Sequence, residues 1–186
     1  TSIMFDGSHY PFEENVRLTK EIVRVAHAMG VSVEGELGTI GGTEDDLSVD
    51  EQDANLAKPE EAIRFYEETG VDALAIAVGT AHGMYVGEPN IRFDIIEEVS
   101  KAIPAPLVLH GGSGVPDDMI KKAIAAGIAK VNVNTENQVA CTAAIREILA
   151  KDSKVYDPRK YLGPGREAMV EVVKGKIELF GSAGKA

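Results

Sequence analysis

Two histidines carry the chemistry that can be read first. His82 stands in Gly79-Thr80-Ala81-His82-Gly83 and His110 in His110-Gly111-Gly112-Ser113-Gly114, each at the end of an apolar run and each followed by glycine. If those runs are consecutive strands about 4.8 Å apart, both imidazoles can reach one ion, and a shared metal is the natural reading. The alternative is that each ring bonds a loop carbonyl. A catalytic zinc needs three protein ligands and an open position, and spacing alone nominates His9 as the third. His27 falls on a helix, where a surface or packing role is expected. Glu34 and Glu36 sit two residues apart on one strand and so point the same way, Glu36 nearer the strand's end. A carboxylate there could bind a cation or take a proton. Pairing with an inward Lys or Arg from a missing strand is the alternative, and it is the reading preferred for Glu34. For Asp6 and Ser8, structural hydrogen bonding is expected.

The segments His110-Gly111-Gly112-Ser113-Gly114 and Asn132-Val133-Asn134-Thr135 each lead from a strand into a helix start, where backbone N–H groups and the dipole favour an anion. A phosphate is expected there, held by local dipoles, although a tight turn also explains the glycine pair. A long polar stretch, Gly38 to Lys58, suits a lid. Its Gly41-Gly42 hinge precedes Glu44, which is singled out as a proton-transfer group.

Positioning these residues requires alternating strands and helices. Strand-like runs occupy 2–6, 31–37, 72–79, 106–110 and 130–134, and helical patterns fill the gaps. Pro59 opens a helix that Gly70 closes, Pro104 ends another, and Pro116 opens a fourth running to Gly127. A fifth follows Glu136, and a sixth helical stretch spans about Glu167 to Phe180. Polar or small clusters follow every strand, which favours a (β/α) barrel rim over the single switch point of a doubly wound sheet. The fold class is therefore α/β of the TIM (β/α)8 barrel family, with about five of eight βα units and a C-terminal helix. Residues 1–163 form the partial barrel (strands 4 to 8), and 164–186 the terminal helix and tail.

The 186 residues carry 30 acidic against 19 basic side chains, a net charge of -11, which argues against nucleic acid or anionic membrane as a partner. Cys141 is the only cysteine, so no internal disulfide forms and a reducing cytoplasm is expected. No secretory signal is recognised at the start.

With these motifs in hand, the chain resembles the carboxyl-terminal part of class II, zinc-dependent fructose-1,6-bisphosphate aldolases. The resemblance rests on Ser2-Ile3-Met4-Phe5-Asp6-Gly7-Ser8, Val33-Glu34-Gly35-Glu36-Leu37-Gly38, Gly41-Gly42-Thr43-Glu44-Asp45-Asp46 and the two histidine motifs. Lys130-Val131-Asn132-Val133-Asn134-Thr135-Glu136-Asn137 and Tyr156-Asp157-Pro158-Arg159-Lys160-Tyr161 extend it. It implies that His82 and His110 bind zinc and that Glu36 belongs to an alternative metal position. His9 is then not a ligand. Gly83, Gly111, Ser113, Asn132 and Thr135 match positions that hold the dihydroxyacetone phosphate end, Arg159 the other phosphate, and Glu44 a lid carboxylate.

The implied reaction is a lyase step of glycolysis and gluconeogenesis: reversible cleavage of fructose 1,6-bisphosphate to dihydroxyacetone phosphate and glyceraldehyde 3-phosphate. A second divalent or a monovalent cation would accompany zinc. Tagatose-bisphosphate aldolases share most of these motifs. The family's remaining zinc histidine and its acid/base aspartate lie on a front half this chain does not show. The alternative expectation is thus a catalytically incomplete partial barrel that pairs with that N-terminal half or forms a homo-oligomer.

Overall fold

The computed structural model describes residues 1–44, 47–49, 55–83 and 89–185. Strands β1 (Ser2–Phe5), β2 (Ser32–Leu37), β3 (Gly41–Glu44), β4 (Leu47–Val49), β5 (Ala73–Ile76), β6 (Ala81–His82), β7 (Leu107–Leu109) and β8 (Ile128–Val131) alternate with six helices. These are α1 (Phe12–Ala28), α2 (Pro59–Thr69), α3 (Phe93–Ala102), α4 (Asp117–Ala126), α5 (Thr135–Lys151) and α6 (Pro158–Leu179). The chain divides into two compact units, residues 1–132 and 133–186.

In the first unit, five parallel strands line up as β1-β2-β5-β7-β8, each added beside the one before it. A doubly wound sheet would reverse this order at a switch point, and none occurs. Register identifies the two faces. Gly35, Leu74 and Leu107 share a row on the helix side, where a Cβ on Gly35 would lie 3.0 Å from the Phe65 ring of α2. The opposite row runs Glu36, Ala75, Val108, Lys130. Glu34, two residues before Glu36, lies on the same face. Lys130 and Glu34 are three strand spacings apart, about 14 Å in a flat sheet. Their side chains nevertheless meet at 2.6 Å, so the sheet curls inward around this face as a barrel arc does.

The core lies between the outer row and the helices: Val33, Phe65, Leu74, Ile76, Ile96, Val99, Leu107, Leu109 and Ile120 are each at most 1% exposed. Capping follows local chemistry. Pro59 fixes the first turn of α2, and Gly70 closes it in a left-handed conformation, φ 69°.

The long stretch expected as a lid is partly ordered backbone. β3 pairs antiparallel with β4 and parallel with β6, Gly42 opposite His82, in a second, three-stranded sheet. Sequence patterning missed this sheet, because two glycines read as a hinge and the ladder partner lies some forty residues on.

In the second unit α5 packs on α6. Lys176 Nζ bonds the Glu136 carboxylate at 2.8 Å, and Gly165 lets Cys141 and Ile145 approach to 3.0 and 3.1 Å of where its Cβ would be. Helix α6 starts at Pro158, ahead of the expected Glu167, so the boundary expected at residue 163 falls inside it. Asp157 caps it by accepting from the Arg159 N–H, and Pro158 sits where its missing donor costs nothing. Those signals outweigh Gly163-Pro164-Gly165, which reads as a break.

Candidate active site

Residues from four strands converge on the inner face. His110 directly follows β7 and is 3% exposed. Its Nε2 lies 2.9 Å from Glu34 Oε1 and its Nδ1 3.3 Å from Glu36 Oε2, so the ring is clamped between two carboxylates of β2. Lys130 of β8 completes the group, Nζ to Glu34 Oε2 at 2.6 Å. Glu34 and Glu36 are only 7% and 3% exposed. Burial pushes the Glu34 carboxyl up, but hydrogen bonds from His110 and Lys130, with their charge, outweigh it and leave the group below its ordinary value. The Lys or Arg that pairs with Glu34 thus comes from this chain.

His82 ends β6, with its ring centroid 5.9 Å from that of His110 and the planes inclined at 47°. Two imidazoles on one tetrahedral zinc, with Zn–N near 2.0–2.1 Å, would have centroids about 5 Å apart. The pair is close to that spacing, and imidazole nitrogen with a buried carboxylate is the donor chemistry zinc takes. His82 and His110 therefore fit two positions of a zinc site, with the Glu36 carboxylate beside His110. Among the described residues no group of three or more His, Cys, Asp or Glu side chains gathers into a full cage. His9, nominated by spacing, does not supply the third ligand: it follows β1 in a turn, and its exposed ring packs on Tyr10 with centroids 4.1 Å apart. His27 is exposed and pairs with Asp72 at 2.8 Å.

The loops after β7 and β8 are tied together. The Asn132 N–H donates to Leu109 O at 2.9 Å, and the Gly112 N–H to Asn132 O at 3.0 Å. That last donor is committed to the protein, so an anion in this loop would rely on its neighbours. Ser113 is 4% exposed. Gly111 takes φ 65° and lies against the Ala81 backbone, holding the His110 loop to the strand that carries His82. Gly83 takes φ 97° just after His82.

Asn134, Thr135 and Arg159 belong to the second unit. Asn134 and Thr135 open α5, and the Arg159 guanidinium bonds Asp157 at 2.8 Å, which raises its pKa. Glu44 ends β3, but its side chain lies outside the described residues, as do Asp45 and Asp46 entirely.

Sequence reasoning passed over Lys130 and Asn15. Asn15 of α1 is 1% exposed and donates to Glu36 O at 2.9 Å, fixing the carboxylate's backbone from behind. A buried Asn in the middle of an apolar helix face was the available signal.

Residues 1–185 match the family described as fructose-bisphosphate aldolase class-II. The chain belongs to that family. It is 55% identical over all 186 residues to a fructose-bisphosphate aldolase of Staphylococcus aureus and 54% to one of Geobacillus stearothermophilus. In each case it spans 64% of the relative's length. Among solved structures it resembles the YdjI aldolase of Escherichia coli K12, with a TM-score of 0.81 and 40% identity, covering 100% of this chain and 62% of that one. The class II aldolase chain thus has the α/β fold of the TIM barrel family, in part. None of its described helices is long and apolar enough to cross a membrane.

Proposed function

We propose that the protein containing this chain is a zinc-dependent lyase that reversibly cleaves fructose 1,6-bisphosphate to dihydroxyacetone phosphate and glyceraldehyde 3-phosphate in the cytoplasm. The observation that carries the reading is the His82–His110 pair, 5.9 Å between centroids, beside the buried Glu36 carboxylate, in a chain of this family. His82 and His110 would hold the zinc, and Glu36 would lend a carboxylate to it. When bound, zinc supplies Lewis-acid polarisation of a ketone oxygen. The chain's own residues do the rest. Glu34 and Lys130 orient His110, and the tied loops after β7 and β8 shape the rim. Gly83, Gly111, Ser113 and Asn132 bind the end of the substrate nearer the metal, and Glu44 moves a proton.

The test is aldol cleavage of fructose 1,6-bisphosphate by the intact protein before and after chelation. Activity should vanish with chelator and return with zinc. Activity that survives thorough chelation refutes the proposal, and faster cleavage of tagatose 1,6-bisphosphate would move the substrate assignment.

A second reading, a partial barrel that pairs with a complementary half or with itself, is favoured by strand β1. Its Ile3 and Met4 are 44% and 42% exposed, and Ile3 adjoins an apolar groove that Ile22, Val25, Ala26 and Met29 continue. Intact mass under native conditions distinguishes the two. A stable monomer of these 186 residues alone would count against pairing.

A further inference from the structure

We propose that Lys130 is a positioning residue for the metal-facing ring of His110, acting through Glu34, and that an irregularity in strand β8 is what aims it there. This deepens the function proposed above and rests on His110 being a zinc ligand.

Register makes the argument. Leu107 of β7 pairs with Ile128 of β8, but Val108 pairs with Lys130, so Ala129 is an extra residue opposite no partner of its own. Side chains alternate along a strand, and one extra residue moves everything after it to the other face. With an unbroken ladder, Lys130 would stand beside Leu109 on the helix side of the sheet. The bulge turns it onto the row of Val108, Ala75 and Glu36, the inner face that also carries Glu34 and His110. Bulges of this kind re-aim side chains next to active sites.

Geometry then fixes a chain of contacts. Lys130 Nζ holds Glu34 Oε2 at 2.6 Å, leaving Oε1 at 2.9 Å from His110 Nε2. Glu34 Oε1 accepts from an Nε2–H, so this contact favours the Nε2-protonated form over the Nδ1-only one, and the Nδ1 side faces Glu36. A ligating imidazole is oriented in this way by a carboxylate on its far nitrogen. The charge partner is unusual in its placing. Glu34 is buried, and the Lys130 side chain, 52% exposed on the edge strand β8, reaches it across the inner face.

The experiment uses the intact protein with Lys130→Met, which keeps the length and loses the charge, and Lys130→Arg, which restores it. Two readouts are taken. The first is the His110 tautomer in the metal-free protein, by two-dimensional proton–nitrogen NMR. The second is zinc affinity, by competition with a chromophoric chelator. The parent and Lys130→Arg should show His110 protonated at Nε2, Lys130→Met a mixture with the Nδ1 form, and zinc binding should weaken about tenfold in Lys130→Met alone. A folded Lys130→Met with the parent's His110 spectrum and zinc affinity overturns the proposal. A parent that binds no zinc while the tautomer still responds to Lys130→Met would leave the positioning role standing and remove the metal reading instead. If Lys130→Met does not fold, Glu34→Gln removes the charge Lys130 holds and keeps a carbonyl acceptor. The same mixture is expected, and the parent's spectrum there would overturn the proposal.

Discussion

Gly111→Ala should damage both stability and metal binding, by an amount the structure lets one separate into two parts. Gly111 takes φ 65°, where an L residue costs about 1–2 kcal/mol. In addition, a Cβ there would lie 2.4 Å from Ala81 O, 2.8 Å from its carbonyl carbon and 3.1 Å from its nitrogen. Carbon and oxygen of this kind rest about 3.3 Å apart, so the strand must retreat by roughly 0.9 Å. The obstacle is backbone, and it immediately precedes His82. Overpacking of this sort adds about 1–3 kcal/mol, and a shift approaching 1 Å in one of two paired ligands should weaken zinc at least tenfold. Gly30→Ala isolates the backbone part. Its φ is 69° and nothing lies within 4 Å of the added carbon, so it should cost the first 1–2 kcal/mol and leave zinc binding unchanged. Urea unfolding of the metal-free variants gives the stability difference, and chelator competition gives the affinity. If Gly111→Ala is no more destabilising than Gly30→Ala and binds zinc like the parent, the close approach of the two histidine loops is not what holds the site.

Phe65→Ala should cost about 3–5 kcal/mol by denaturant unfolding, since the ring is fully buried under Gly35, and a loss below 1 kcal/mol would contradict that packing. Asp157→Ala should destabilise α6 by about 1 kcal/mol through loss of its cap, read as reduced amide protection in the first turn of the helix. The Val33 N–H and His27 hold the Asp72 carboxyl below its ordinary value. Its contribution to stability is therefore complete above the unfolded pKa of about 3.9 and is lost as pH falls through the lower folded one. Asp72→Asn should flatten that acid limb of the stability curve, and an unchanged limb would refute the assignment.

How much of this could be read from the sequence follows from the range of each interaction. The five main strands and their helices were legible because short apolar, β-branched runs mark the strands and because Pro59, Gly70, Pro104 and Pro116 punctuate the chain locally. The β3–β4–β6 sheet was not, since Gly41-Gly42 carries no strand signal and its pairing is decided by the fold. The start of α6 was obscured by Gly163-Pro164-Gly165, where the approach of Cys141 and Ile145 to Gly165 reverses the local preference. In the candidate site, the place of His110 directly after its strand could be seen, whereas His82, expected at the equivalent position of the neighbouring strand, ends β6 of the second sheet. The contacts joining Glu34 to His110 and to Lys130 span 76 and 96 residues, and Lys130 reaches the inner face only through a bulge that no periodicity announces.

The charges of the inner face explain why an acidic chain would keep such a cluster. Glu34 and Glu36 bring two buried carboxylates to His110, and Lys130 bonds one of them. Buried charge is tolerated when it is paired or coordinates a metal. Lys130 answers for Glu34, and the opposite face of His110 brings a second carboxylate, Glu36, to within 3.3 Å of Nδ1. A divalent cation between His82 and His110 would add two positive charges there, next to glycine-rich loops suited to a phosphate. Under the proposed function, the same cluster would favour the cation first and the anionic substrate once the cation is bound. Neither step draws on the overall charge of -11, which would repel a sugar bisphosphate. The proposed function implies that ordering, metal before substrate, and isothermal titration of fructose 1,6-bisphosphate into metal-free and zinc-loaded protein should find binding only in the second.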